Sequence, residues 1–166
     1  MSGSSILSKL HVLIVDDDLM LLDMVAGMLA TFGITQVLRA DSGAHALDAV
    51  VDQSRPVDCV ISDYKMSNGS GLALLKNVRM GRAKFLRADS CFILLTGSGD
   101  TDVVKLAARL DVNGYLIKPV SAVKLQATLE RARAYSRWIS RSTPTSLCLW
   151  KRNAGLLNCA RRTRRC

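Results

Sequence analysis

Short apolar runs alternate with amphipathic stretches along this chain, and polar or glycine-rich turns separate them. The apolar runs are residues 10–15, 36–40, 59–61, 90–95 and 115–117. Runs of this length that end at turn residues predict buried strands. Apolar residues at helical spacing follow each run, and they predict helices over residues 19–32, 43–53, 71–80, 100–110 and 121–140.

Five strand–helix units in strict alternation predict an α/β fold with a parallel sheet covered on both faces. With right-handed crossovers, the expected architecture is a flavodoxin-like (βα)5 three-layer sandwich with strand order 2-1-3-4-5. This domain is expected to span residues 10–140. Residues 1–9 are expected to form a frayed lead-in, and residues 141–166 a basic, disordered tail.

Local signals refine three of the helices. Gly33 is a suitable C-cap for the first helix, and Asp100 is a suitable N-cap for the fourth. The second helix is expected to pack through four apolar residues: Ala46, Leu47, Val50 and Val51.

The net charge of +9 is unevenly distributed. Residues 1–130 hold 13 Lys/Arg and 14 Asp/Glu, a net of −1, whereas residues 131–166 hold 10 Lys/Arg and no acid, a net of +10. The main domain is therefore nearly neutral. The tail has the composition to bind nucleic acid or an anionic surface, but we favour a solvated extension without a specific partner.

Two further features bear on the cellular compartment. No run reaches the roughly eighteen apolar residues of a membrane span, and the N-terminus lacks the pattern of a signal peptide. We therefore expect a cytoplasmic location. The five cysteines show neither CxxC nor zinc-site spacing, so we expect reduced thiols, with Cys59 and Cys91 in strands.

Charged and hydroxyl side chains follow four of the predicted strands. Asp16 and Asp17 follow strand 1, and Asp63 ends strand 3. Thr96 ends strand 4, and Lys118 follows strand 5. Because the carboxyl ends of parallel strands meet at one edge of the sheet, we expect these side chains to converge on one crevice.

This set of side chains suits phosphoryl transfer. Three neighbouring carboxylates repel one another unless a cation intervenes, and Mg²⁺ prefers a few carboxylates together with water and phosphate oxygens. A lysine and a threonine hydroxyl can bind anionic oxygens. An aspartate can itself be the nucleophile and form an aspartyl phosphate.

Several motifs in order resemble the receiver domain of bacterial two-component response regulators, of the single-domain, CheY-like type. They are Asp16-Asp17, Asp63 with Met66 and Gly71, Thr96-Gly97, and Tyr115-Leu116-Ile117-Lys118-Pro119. The resemblance covers roughly residues 10–138. It implies a phosphorelay signalling protein that catalyses only its own phosphorylation and dephosphorylation.

The resemblance also implies roles for individual residues. Asp63 would accept a phosphoryl group from a histidine kinase or phosphotransfer protein. Asp17, Asp63 and the backbone carbonyl of Lys65 would bind Mg²⁺, and Asp16 would act partly through water. The chain departs from the family at Ser67, where a proline is usual.

Other residues would stabilise or transmit the phosphorylated state. Thr96 and Lys118 would bind the phosphoryl oxygens. Thr96 and Tyr115 would be the switch residues, and they would alter a target-binding face formed by helix 4, strand 5 and helix 5. Lys65 and Ser98 occupy positions that bear on the lifetime of the phosphoryl group.

Each residue also has a simpler interpretation. Asp16–Asp18 can favour a helix start, Asp63 can begin a turn, Thr96 can cap a strand, Lys118 can be a solvated loop residue and Tyr115 a half-buried strand residue. These interpretations would have to hold at four strand ends together, so we favour a site.

A phosphatase of the haloacid-dehalogenase type is the enzyme alternative. Asp16 and Asp18 match the spacing of its DxD nucleophile motif. Against it, Met20 stands where that family has Thr or Val, no acidic pair follows Lys118, and Asp63 has no role.

Overall fold

The computed structural model describes residues 7–51, 53–83, 86–97 and 101–142. Within them, five parallel strands form one sheet: β1 (His11–Val15), β2 (Gln36–Ala40), β3 (Val57–Asp63), β4 (Leu86–Thr96) and β5 (Gly114–Ile117). Their order in the sheet is β2-β1-β3-β4-β5. The predicted parallel sheet and its strand order are confirmed.

Five helices connect or follow the strands of this sheet. They are α1 (Leu19–Thr31), α2 (Gly43–Ala49), α3 (Gly71–Arg79), α4 (Thr101–Arg109) and α5 (Ala122–Ser142). A two-residue antiparallel hairpin between β3 and α3, in which Lys65–Met66 pairs with Gly69–Ser70, was not predicted. The fold is thus the expected flavodoxin-like sandwich with one additional hairpin.

Side-chain alternation along the strands creates a separate apolar core on each face of the sheet. On one face, Ile14, Ile61 and Ile93 pack against helices α1 and α5. On the other face, Phe92 and Leu94 pack against α2, α3 and α4. The central strands are buried on both faces, which explains their continuous apolar sequence.

The ends of the helices follow the expected local chemistry. Asp18 and Ser42 are N-caps whose side chains accept backbone hydrogen bonds from α1 and α2. After α1, Gly33 adopts a φ of 81°, as a glycine C-terminal to a helix commonly does. Four apolar residues at helical spacing in α1 are buried: Leu22, Val25, Ala26 and Leu29.

The predicted end of one helix and the predicted start of one strand were wrong. Helix α2 ends at Ala49 instead of near residue 53, so Val51 lies beyond it and is exposed instead of packed. Strand β4 begins at Leu86, four residues before its apolar run, because pairing with β3 at Val57 extends it. In the predicted lead-in, Leu7 is buried in the core beside α1.

Helix α5 extends to Ser142, past the predicted domain boundary at residue 140. Three other predictions stay open. The predicted cap at Asp100, the lifetime residue Ser98 and residues 143–166 of the basic tail predicted over 141–166 lie outside the described residues. The division of the chain into lead-in, domain and tail therefore remains a prediction.

Candidate functional site

Parallel register brings the predicted site residues to one edge of the sheet. Val15 lies opposite Ser62, and Asp63 lies opposite Leu95, so β1, β3 and β4 end almost level. On the other side of β4, Thr96 pairs with Ile117, the last residue of β5. The residues that follow these strands therefore share one crevice.

Lys118 joins two buried carboxylates in that crevice. Its Nζ atom lies 3.0 Å from Asp16 Oδ2 and 2.9 Å from Asp63 Oδ1. Asp16 is fully buried, and Asp63 is 5% exposed. The backbone N–H of Lys118 donates to the Thr96 carbonyl at 2.8 Å, which fixes the start of the loop after β5. The peptide bond from Lys118 to Pro119 is cis.

Asp17 completes the acidic cluster from the solvent side. Carboxylate oxygens of Asp16, Asp17 and Asp63 all lie within 4.8 Å of one another. Asp17 Oδ2 accepts a hydrogen bond of 2.7 Å from the backbone N–H of Ser67. The loops after β1 and β3 are thereby joined directly across the mouth of the crevice.

The electrostatics of the crevice differ from residue to residue. Burial raises the pKa of Asp63, although its hydrogen bond from Lys118 acts in the opposite direction. Burial lowers the pKa of Lys118, but hydrogen bonds to Asp63 and Asp16 outweigh it, and the net shift is upward. Hydrogen bonds from the backbone and side chain of Ser67 lower the pKa of Asp17. The site thus holds a compact lysine cation and an exposed carboxylate that favours its ionised form.

The donor set fits a hard divalent cation. Three carboxylates supply oxygen ligands, and one positive side chain does not neutralise three negative ones. Mg²⁺ takes one or two carboxylates and keeps several waters and phosphate oxygens, as this half-open cluster allows. Asp16, Asp17 and Asp63 are the side chains of this cluster that would hold the ion.

Gly71 sets the approach of α3 to the acceptor residue. A Cβ atom at this position would lie 2.2 Å from the Asp63 carbonyl oxygen and 2.9 Å from Ser62 Oγ. Its N–H donates to the Tyr64 carbonyl at 3.0 Å, which closes the loop after β3. The sequence motif contains this glycine, but its steric role is visible only in the structure.

The two predicted switch residues lie in different surroundings. Thr96 is buried at the end of β4, and its hydroxyl donates to the Gly97 carbonyl at 3.2 Å. Tyr115 lies on β5 and is 47% exposed. It lines an open groove of about 670 Å³ whose walls come from α4, β5 and α5.

Three other residues near the crevice have clear positions. Asp18 caps α1, with its Oδ1 atom 2.9 Å from the Met20 N–H. The Lys65 side chain is exposed, and its Nζ lies 5.9 Å from the centre of the Tyr64 ring. The contact of Ser67 with Asp17 was not predicted, although the missing proline was the signal that could have indicated it.

Comparison with known proteins agrees with this geometry. Residues 12–130 match the response regulator receiver domain family. A probable chemotaxis protein CheY from Rhizobium etli is 33% identical over 126 residues, which cover 76% of this chain and 94% of that protein. The chain therefore belongs to the response regulator receiver domain family of two-component signalling.

Other relatives differ in length. The transcriptional regulatory protein ZraR of Escherichia coli is 32% identical over 136 residues, but the match covers only 29% of that longer protein. The crystal structure of a response regulator receiver domain protein from Clostridium thermocellum superposes with a TM-score of 0.66 at 30% identity. That superposition covers 77% of this chain and 97% of the other. Receiver domains thus occur in relatives of both sizes.

None of the helices in residues 7–51, 53–83, 86–97 and 101–142 combines the length and the apolar character that a membrane span requires.

Proposed function

We propose that this chain is a phosphorylation-controlled response regulator in which Asp63 accepts the phosphoryl group. The observation that carries the proposal is the position of the Asp63 carboxylate. It lies at the end of the central strand, 2.9 Å from Lys118 Nζ and within 4.8 Å of two further carboxylates. The donor would be the phosphohistidine of a histidine kinase or phosphotransfer protein.

The transfer replaces one bond by another. An Asp63 carboxylate oxygen forms an O–P bond while the N–P bond of the donor breaks, and the electron pair leaves on the imidazole nitrogen. Bound Mg²⁺ would supply neutralising charge for the phosphoryl oxygens. Lys118 would exchange its contact with Asp63 Oδ1 for a phosphoryl oxygen while it keeps Asp16.

The same acidic cluster supplies the side chains that we propose as metal ligands. Asp17 and Asp63 would bind Mg²⁺ directly, the backbone carbonyl of Lys65 would add a third oxygen, and Asp16 would act partly through water. The compact, oxygen-only donor set supports this assignment.

Phosphorylation would change the face formed by α4, β5 and α5. The backbone N–H of Lys118 binds the Thr96 carbonyl, so the ends of β4 and β5 are mechanically connected. When Thr96 and Lys118 engage the phosphoryl group, the loops after these strands would be drawn inward. Half-exposed Tyr115 would then repack within its groove, and a protein target would bind this face.

The receiver interpretation accounts for the site better than the phosphatase alternative. Asp18, the second acid of the proposed DxD motif, uses its side chain to cap α1. Asp63, which has no role in that alternative, lies at the centre of the cluster. The membership of the chain in the receiver family also favours phosphoryl acceptance.

Intact mass spectrometry with Mg²⁺ and acetyl phosphate tests the acceptor. We expect one phosphoryl adduct on the wild type and none on Asp63→Asn, because the amide is a poor nucleophile. Asp48→Asn is the matched control, since Asp48 is an exposed aspartate on α2. Full labelling of Asp63→Asn, or no labelling of the wild type, would contradict the proposal.

A further inference from the structure

Ser67 gives this chain a hydrogen-bond donor that a proline at the same position lacks. Its backbone N–H lies 2.7 Å from Asp17 Oδ2, and 50 residues separate the two in sequence. Proline has no backbone N–H, so a chain with the proline usual in this family cannot form this bond. The departure from the family pattern therefore has a direct structural consequence at the acidic cluster.

The hydrogen bond from Ser67 matters because the three carboxylates of the cluster differ in burial and in their contacts. Asp16 and Asp63 are buried, and both contact Lys118. The Asp16 side chain also accepts from the Asp18 N–H at 2.9 Å. Asp17 is exposed on the solvent side, where a side chain has the greatest rotamer freedom to lose when it binds a ligand.

We infer that the backbone N–H of Ser67 positions Asp17 for a divalent cation. This inference rests on the proposed Mg²⁺ site and deepens it. The Asp17 carboxylate accepts the N–H and a hydrogen bond from the Ser67 hydroxyl, and its remaining lone pairs stay available to the cation. Hydrogen bonds of this kind to a metal-binding carboxylate typically strengthen binding by 10- to 100-fold.

The local backbone provides a clean test of this role. Met66 pairs with Gly69, so Ser67 and Asn68 are the two loop residues of the hairpin. Among the described residues other than glycine, only Asp111 has a positive φ. Ser67 therefore has a negative φ, and a residue that replaces it need not adopt the left-handed conformation. Proline is favoured at the first central position of such turns, and Met66 before it is already extended.

Isothermal titration with MgCl₂ on the unphosphorylated protein separates the N–H from the side chain. Ser67→Pro should weaken Mg²⁺ binding by about tenfold, the low end of the range because the bond is solvent-exposed. Ser67→Ala retains the N–H and loses only the hydrogen bond from the hydroxyl to Asp17, whereas Ser67→Pro loses both bonds, so the dissociation constant of Ser67→Ala should stay within about threefold of the wild type. The thermal midpoints without metal should agree among the three proteins.

The possible outcomes distinguish the inference from the proposed function. If the wild type does not bind Mg²⁺, the proposed metal site itself is wrong. If the wild type binds and Ser67→Pro binds equally well, the N–H does not position Asp17. If Ser67→Ala loses as much affinity as Ser67→Pro, the hydroxyl is responsible and the inference is overturned.

Amide hydrogen exchange on the wild type covers the case in which Ser67→Pro does not fold. Exchange of the Ser67 N–H should be slow without metal, should remain slow at saturating Mg²⁺, and should accelerate in Asp17→Ala. Fast exchange at saturating Mg²⁺ would mean that the cation displaces the bond, which would overturn the inference.

Discussion

At the amino-terminal end of the sheet the buried Arg79 guanidinium donates to backbone carbonyls and one side-chain amide, whereas at the carboxyl-terminal end Lys118 is shared by two carboxylates. All five N–H donors of Arg79 are used. The acceptors are the carbonyls of Ala88, Ser90 and Asp111 and the side chain of Asn113. Lys118 and the acidic cluster instead leave surplus negative charge.

The comparison shows that burial of a charged group does not by itself indicate a functional site. Arg79 connects the end of α3 to β4 and to the segment before β5, and its hydrogen bonding is complete. The crevice at the other end has more carboxylates than cations, and it opens to solvent at Asp17. An incompletely neutralised cluster can accept a cation and an anionic group, whereas the N–H donors of Arg79 are already used within the protein.

Removing Arg79 should have the largest effect on stability. Arg79→Met retains much of the apolar stem but leaves the buried acceptors without donors, so we expect the free energy of unfolding to fall by about 3 kcal/mol. Urea unfolding followed by circular dichroism measures this change. Arg82→Met, at an exposed arginine three residues later, is the control and should change it by less than about 0.5 kcal/mol. If Arg79→Met and Arg82→Met lowered the free energy of unfolding equally, the buried hydrogen bonds of Arg79 would not be a structural network distinct from the crevice.

Asp63→Asn should change stability in the opposite direction. Burial raises the pKa of Asp63, which means that the folded protein disfavours the ionised carboxylate. Lys118 keeps its contact with Asp16 when Asp63 becomes neutral. We therefore expect the free energy of unfolding to rise by about 1 kcal/mol, measured by urea unfolding without Mg²⁺. Asp48→Asn should leave it unchanged, and a loss of stability in Asp63→Asn would contradict the electrostatic argument.

The buried Cys59 thiol, in the middle strand of the sheet, should produce a smaller, pH-dependent effect. Cys59 and Cys91 lie opposite each other on β3 and β4, with their Sγ atoms 3.0 Å apart, and both are free thiols. A hydrogen bond with Cys91 and burial raise the pKa of Cys59 well above its ordinary value. The folded state therefore keeps a proton that the unfolded state releases above about pH 9.

Because the pKa of Cys59 is higher in the folded state than in the unfolded state, the free energy of unfolding should fall at high pH. The stability that follows from the raised pKa of Cys59 is fully present below about pH 9 and falls as the pH rises further. Urea midpoints on either side of this pH should decline more in the wild type than in Cys59→Val, which lacks the ionisable group. The same decline in both proteins would show that other groups cause it.

Much of the fold and of the candidate site could be predicted from sequence. Apolar runs of strand length, separated by helical patterns, predicted a doubly covered parallel sheet because both faces of its central strands are buried. Asp16, Asp63 and Lys118 could be placed together because each follows a strand in a sheet whose carboxyl ends align. These inferences depend on periodicity and topology, which are local or general properties of α/β chains.

The remaining features depend on contacts between distant segments. The early start of β4 depends on its pairing with β3, and the burial of Leu7 depends on the core beside α1. Val51 is apolar but exposed because α2 ends one turn earlier than its pattern indicates. None of these outcomes is encoded in the spacing of neighbouring residues.

The sequence by itself determined the order of the elements and which acidic and basic residues follow the strands. The pattern of these residues resembles that of receiver domains. Only the tertiary structure decided how the charges are shared: Lys118 between Asp16 and Asp63, Ser67 with Asp17, and Arg79 with neutral acceptors. The physical reason is that a side chain's charge is fixed by its chemistry, whereas its partners and burial are set by residues that only folding brings within a few ångströms.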